Sequence, residues 1–221
     1  MNQYQVICKA LTPIIMHSDN LTFSESIEEW RKDPANKSLS TKGDDRSPAW
    51  TWIGYAYHDG EYLGIPSDNI MTMLREAGAK VPFKGKETFK KQTQSGIVVD
   101  QQQFDLFVGG KKIPIAPIKA LIGNTKFTEH IKVAEDLGFE LFVKRAAIGR
   151  AKHVRVRPMF RQWEARGSIT VIDEELTGLT KAMVTTILRL GGAIVGLCDW
   201  RPSSPQKSGS YGKFEVSIEE I

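Results

Sequence analysis

Eight basic side chains fall between residues 143 and 166: Lys144, Arg145, Arg150, Lys152, Arg155, Arg157, Arg161 and Arg166, against one acid, Glu164. The window carries a formal +7. Six of the eight cations are arginine, whose planar fork of donors matches the oxygens of a phosphate. On a strand, His153, Arg155 and Arg157 share one face, because side chains alternate with a period of two. Phe160 and Trp163 lie close by and offer rings on which bases could stack. Cations interleaved with aromatics suit single-stranded nucleic acid; the opposing reading is a solvated face whose charges pair with acids elsewhere in the chain. A second basic window, residues 80–91, holds five lysines against Glu87 and reads better as an exposed helix than as a second contact. The whole chain of 221 residues carries only +4, so the remainder is −7. The small net charge is a difference between separated parts.

A Gly-rich stretch near the C-terminus, residues 196–212, provides a second candidate. Its glycines permit close backbone approach. Exposed N–H groups together with Arg201, Lys207 and Lys213 could hold phosphates. Trp200 is expected to pack or stack. A strand follows the loop, so it is neither a Walker loop nor a dinucleotide fingerprint. Cys8 and Cys198 form no CxxC pair, which reads as a reduced protein. His17, His58, His130 and His153 are too widely spaced to suggest a metal site, and no cofactor is expected. No N-terminal signal pattern and no apolar run of membrane-spanning length is present, so the expected location is the cytoplasm.

These residues need elements to place them. Composition is 41% hydrophobic and 25% charged, which excludes disordered, collagen-like and coiled-coil chains. Alternation predicts a strand over 4–11, ended by Thr12-Pro13. A short helix over 24–32 capped by Ser24 follows, then a mobile polar insertion over 33–48. Asp59-Gly60 between aromatic runs predicts a hairpin of 50–57 with 61–65. Helical spacing predicts a helix over 67–78 ending at Gly78. A second short helix is expected within 80–94. Strands are expected over 97–99 and 104–108, with Gly109-Gly110 turning into 111–115. A short helix over 128–136 precedes strands over 139–148, 151–157 and 162–172. A helix over 174–190 and a last strand over 211–218 complete the reading. The expected fold is α+β, a ferredoxin-like βαββαβ core of RRM type. One domain spans 1–221, with inserted hairpins at about 24–64 and 95–160 and a C-terminal Gly-rich loop.

Three segments together resemble the RAMP superfamily of CRISPR-associated RNA-binding proteins. Leu11-Thr12-Pro13-Ile14-Ile15-Met16-His17 looks like the family's first-strand exit. Gly64-Ile65-Pro66-Ser67-Asp68-Asn69-Ile70 is similar to its entry into the first helix. Gly209-Ser210-Tyr211-Gly212-Lys213-Phe214 resembles its Gly-rich loop and last strand. Within the superfamily the chain looks most like the Cas-seven type of effector backbone subunit. The resemblance implies an RRM-like palm that oligomerises on guide RNA. RNA contacts would come from the first-helix start (Ser67, Asn69), the Gly-rich loop and the basic inserted strands. Implied partners are RNA or single-stranded DNA, copies of the chain itself and CRISPR effector subunits, with no membrane. A phage-borne mimic that caps or inhibits an effector complex fits the same resemblance. So does a metal-independent endoribonuclease, in which His17 would be the base with Tyr211 or Lys213 assisting. Backbone subunits that cut target RNA use an acid in the loop after the first strand, where Asp19, Asp44 and Asp45 stand.

Overall fold

The structure is a computed structural model and describes residues 1–148, 151–205 and 207–221; the side chains of residues 147, 148, 151 and 152 also lie outside the description. It is α+β, with antiparallel strand pairing. The described strands are β1 (Asn2–Ala10), β2 (Ile14–Ile15), β3 (Gly64–Pro66), β4 (Ile97–Val99), β5 (Gln103–Val108), β6 (Lys111–Lys112), β7 (Glu140–Ile148), β8 (Ala151–Phe160), β9 (Glu164–Val171) and β10 (Phe214–Glu220). The helices are α1 (Leu21–Lys32), α2 (Ser67–Gly78), α3 (Lys90–Gly96), α4 (Ala116–Lys119), α5 (Phe127–Asp136), α6 (Glu174–Thr177) and α7 (Lys181–Leu190). The chain divides into two compact units, with crossings after Ile14, Tyr57, Ile113 and Phe160.

The first unit comprises Met1–Ile14, His58–Ile113 and Arg161–Ile221. Its sheet runs β10-β1-β9-β5-β3, with β4 also on β9 and β6 on β5. Tyr4, Val6 and Cys8 of β1 and Ala165, Ile169 and Val171 of β9 alternate onto one face and are buried. Two helices pack on each other behind them. α2 contributes Ile70, Met73, Leu74 and Ala77, and α7 contributes Val184, Ile187 and Leu188. The opposite face is polar and largely self-paired: Lys112 holds Asp105 at 2.7 Å and Lys9 reaches Glu164 at 3.9 Å.

Three expectations are corrected in this unit. The helix foreseen over 174–190 is two: Gly178, at φ +68, ends α6, and the Thr180 hydroxyl caps α7 by accepting from Met183 N at 3.2 Å. The second short helix is confined to 90–96, with turns before it. The hairpin about Asp59-Gly60 keeps only a single bridge, His58 with Leu63. Its expected first strand is instead a buried 3-10 helix, Ala49–Tyr55, belonging to the second unit.

The second unit comprises Ile15–Tyr57 and Pro114–Phe160. Its sheet runs β2-β8-β7. Trp52 and Phe139 (centroids 5.8 Å apart) and Phe139 and Phe160 (5.0 Å) form an aromatic core. α1 begins earlier than expected, at Leu21, because Asn20 and not Ser24 is the cap: its side chain accepts from Phe23 N at 3.0 Å. Residues 33–48 are not a detached polar insertion. Val154 N donates to Gly43 O at 2.8 Å and Asp45 N donates to Val154 O at 3.0 Å, so this stretch lies along β8. Asp45, Ser47 and Ala49 are buried.

Candidate nucleic-acid interface

The basic segment divides between the units, its first part in the β7–β8 hairpin and residues 161–166 in the first unit. In the hairpin, Phe142 lies opposite Arg157, Lys144 opposite Arg155, and Ala146 opposite His153. Opposed residues of an antiparallel pair share a face, so Lys144, His153, Arg155 and Arg157 form one row. Lys144 and Arg145 are exposed. Arg145, opposite Val154, points to the other face.

A carboxylate beneath the row alters its chemistry. Asp45 is 2% exposed and accepts three hydrogen bonds: from Arg155 Nη1 at 2.9 Å, Val156 N at 3.1 Å and Arg157 Nη1 at 3.1 Å. Two guanidinia and a backbone N–H are the compensation a buried carboxylate needs. Arg157 is held further. Its guanidinium stacks on the Tyr55 ring, 3.8 Å from the centroid, and its Nη2 lies 3.3 Å from His17 Nε2. Burial, and then the Asp45 charge, pushes the Tyr55 phenol upward, so it stays protonated beside the guanidinium. The two arginines differ in reach: the Arg157 side chain is 12% exposed and that of Arg155 32%. Part of the expected phosphate-binding face is thus an internal ion-pair cluster, with Lys144 and part of Arg155 accessible on that face and Arg145 exposed on the other.

The aromatic expectation is corrected. Phe160 and Trp163 are buried, Phe160 against Phe139 and Trp163 against Phe214, with the Trp163 indole N–H donating to Thr12 O at 2.9 Å. Neither ring is a platform for bases. Arg161 is exposed, and Arg166 pairs with Glu164 and stacks over Phe107 at 4.4 Å. Arg150 and the side chain of Lys152 lie outside the described residues.

The Gly-rich loop is a folded element of the first unit. Leu11 N and Thr12 N both donate to Lys213 O, at 2.9 and 3.1 Å, and Gly212 N donates to Pro13 O at 2.8 Å. These bonds join it to the exit of β1. At Gly209 a Cβ would stand 1.6 Å from Trp200 O, so only glycine fits there. Two non-glycine residues hold left-handed conformations, Cys198 at φ 62 and Trp200 at φ 57, as strained loops around ligands often do. The Trp200 ring, half-buried, stacks on Tyr211 with centroids 5.9 Å apart and planes at 27°. Lys207 is exposed and Lys213 half-buried. Arg201 faces inward instead, reaching Glu76 at 3.2 Å, Ser203 Oγ at 3.0 Å and Cys198 O at 3.4 Å.

Ser67 and Asn69 open α2, where Ser67 N donates to Gln102 O at 2.9 Å. The loop meets this helix at Glu76, about 14 Å further along the axis at 1.5 Å per residue, so the two are not one cluster. Asp19 is exposed and lines a cleft of about 200 Å³ in the second unit with Asp45 and Arg155. Asp44 is held below the usual carboxylate range by Arg46, which binds it at 2.7 Å. Arginine has only donors, so His17 Nε2 is the acceptor in its contact with Arg157. Burial pushes both thiols up, Cys198 to about 12, and neither is a thiolate at neutral pH. Among the described residues no three His, Cys, Asp or Glu side chains converge on a metal position, and no helix is long and apolar enough to cross a membrane.

Sequence reasoning missed Tyr55, the ring beneath Arg157, and treated Asp45 only as a candidate acid for cleavage. Asp45 and Arg155 stand 110 residues apart, and no local pattern signals such a pair. The chain matches no protein-family model and no curated protein.

Proposed function

We propose that the chain is a non-catalytic RNA-binding protein that grips a single strand through its phosphates, as a backbone-like subunit of an RNA-guided effector. The observation that carries the reading is the outer row of the β7–β8 hairpin. In that row Lys144 is exposed and Arg155 is fixed by Asp45 with a third of its side chain still accessible, while Arg145 is exposed on the hairpin's other face. Lys144 lies directly opposite Arg155, which sets two cationic side chains next to each other on one face of the hairpin. The Trp200–Tyr211 stack with Lys207 and Lys213 is the second contact, for an unpaired base and its phosphate.

Two further features support the resemblance. Taken as β1, α2, β4 with β5, β9, α7 and β10, the first unit has the element order of a βαββαβ core. Its spatial order β10-β1-β9-β5 is that expected of an RRM- or ferredoxin-like sheet. Two of the three family-like segments, residues 11–13 and 209–213, are hydrogen-bonded to each other.

The test is RNA affinity as a function of salt. In Lys144→Ala/Arg145→Ala, affinity falls alike for unrelated sequences, and the slope of log K against log salt becomes shallower by about one to two, at roughly 0.7 per lost single-strand contact. Unchanged affinity and slope would sink the proposal. A single-stranded DNA of the same sequence, run in parallel, decides between the two acids.

A further inference from the structure

The last turn of α2 and the helix α3 wall a cleft of about 580 Å³ in the first unit, lined by Arg75, Glu76, Lys80, Lys90, Gln94 and Ser203. Arg75, Lys80 and Lys90 are exposed, and no ion pair engages any of them among the described residues. Glu76 is the one acid in this lining, and its Oε1 is taken by Arg201 at 3.2 Å. Arg201 thus offsets the charge of Glu76, whose buried Oε2 has no hydrogen-bond partner among the described residues, and three cations face the open space. A helix C-terminus alone attracts basic residues, which accounts for Arg75. It does not account for Lys90, which comes from a different helix and is the first residue of it. The cations converge on the space between the helices.

Size and the remaining lining narrow the ligand. The volume lies in the range of small-molecule sites, and a bare phosphate would leave most of it empty. Gln94 and Ser203 can each donate and accept, which suits sugar hydroxyls and base edges. We infer that this cleft binds a nucleotide, its phosphate among Arg75, Lys80 and Lys90, its sugar and base toward Gln94 and Ser203. The nucleotide is either free or one unit of a strand. The site stands whether or not the hairpin binds RNA.

The experiment titrates the isotope-labelled full chain with inorganic phosphate, adenosine 5′-monophosphate and a hexaadenylate RNA, following backbone amides. The nucleotide is expected to shift amides of α2's last turn, α3 and Ser203. Inorganic phosphate should bind about tenfold more weakly, for lack of sugar and base contacts. Lys80→Ala/Lys90→Ala, a change of two exposed side chains, should weaken nucleotide binding about tenfold or more. A hexamer that binds tighter at the same amides identifies a strand as the source; a mononucleotide that binds as tightly identifies a free ligand. The inference is overturned if nucleotide and hexamer both leave these amides unmoved. It is equally overturned if phosphate binds as well as nucleotide, or if the double variant binds like the wild type. Lys144→Ala/Arg145→Ala should retain mononucleotide binding. Loss of strand binding in the hairpin variant therefore bears on the proposed function alone, and failure of the Lys80/Lys90 arm bears on this cleft alone.

Discussion

Asp45 shows how one residue can turn a surface feature into an internal one. Its carboxylate holds Arg155 and Arg157 and the Val156 N–H, and is itself almost wholly buried. Breaking such a cluster from the acid side strands two cations, at a cost of about 3–5 kcal/mol. Asp45→Ala is therefore expected to lower the unfolding free energy by that amount in a denaturant titration. Asp45→Asn, which retains an oxygen for Val156 N, should cost less. The reverse result would mean that the guanidinia do not depend on this acid. A second residue-scale prediction concerns His130. It is buried, with Nδ1 3.0 Å from Trp52 Nε1 and Nε2 2.8 Å from Asn124 O. An indole N–H only donates, so Nδ1 accepts and Nε2 carries the proton toward the carbonyl. Burial lowers the pKa below 6.5, and the Asn124 carbonyl and Glu129 only partly oppose it. The unfolded chain thus binds the proton more readily. The stabilisation is complete above pH 6.5 and is lost as pH falls toward the lowered folded value. Unfolding free energy measured across pH 7.5 to 5 should decline, with a shallower decline in His130→Phe. An identical slope in the variant would remove His130 as the cause.

At the scale of elements, the alternating strands were legible and the segments that depend on distant partners were not. β7, β8, β9 and the helix α2 lie where alternation and helical spacing put them, and β9 and α2 each bury one face along their length. The run Trp50–Tyr57 has the composition of a strand, yet residues 49–55 coil into a 3-10 helix. There Trp52 reaches His130, 78 residues away, and composition cannot report that contact. Phe160 and Trp163 failed for the same reason. Proximity to arginines in sequence suggested stacking on bases, while the rings turned inward onto Phe139 and Phe214. The paired state of Arg157 and the outward state of Lys144 look alike in a charge count. Only the fold of residues 43–45 along β8 separates them. The Gly-rich loop supports a prediction at this scale. Gly212 has φ +75, and a Cβ there would stand 2.0 Å from Leu197 O. Gly212→Ala combines a left-handed alanine with a backbone clash and should cost more than about 2 kcal/mol. The loss should be accompanied by a change in the near-ultraviolet circular dichroism of the Trp200–Tyr211 stack. A variant with unaltered stability and spectrum would show that the loop is not held in this form.

For the molecule as a whole, charge separation remains the feature that composition hides. A net +4 contains two basic windows and an acidic remainder, and the structure places basic groups both in the hairpin of one unit and in the α2–α3 cleft of the other. If the chain is a backbone subunit, its purified particle should contain RNA together with several copies of the 24.8 kDa chain, and should collapse on nuclease treatment or in high salt. A strict monomer carrying RNA would argue against assembly, and a particle free of RNA against both. The order in which the two units draw on the chain has one more consequence. β1 pairs with β10 from Tyr4 opposite Glu220 to Ala10 opposite Phe214, whereas the second unit needs nothing beyond Phe160. During synthesis the residues of β1 must wait for those of β10, about 200 residues later, before their sheet can close. The inserted unit has all of its chain well before then, and can be folded while its host is still unfinished.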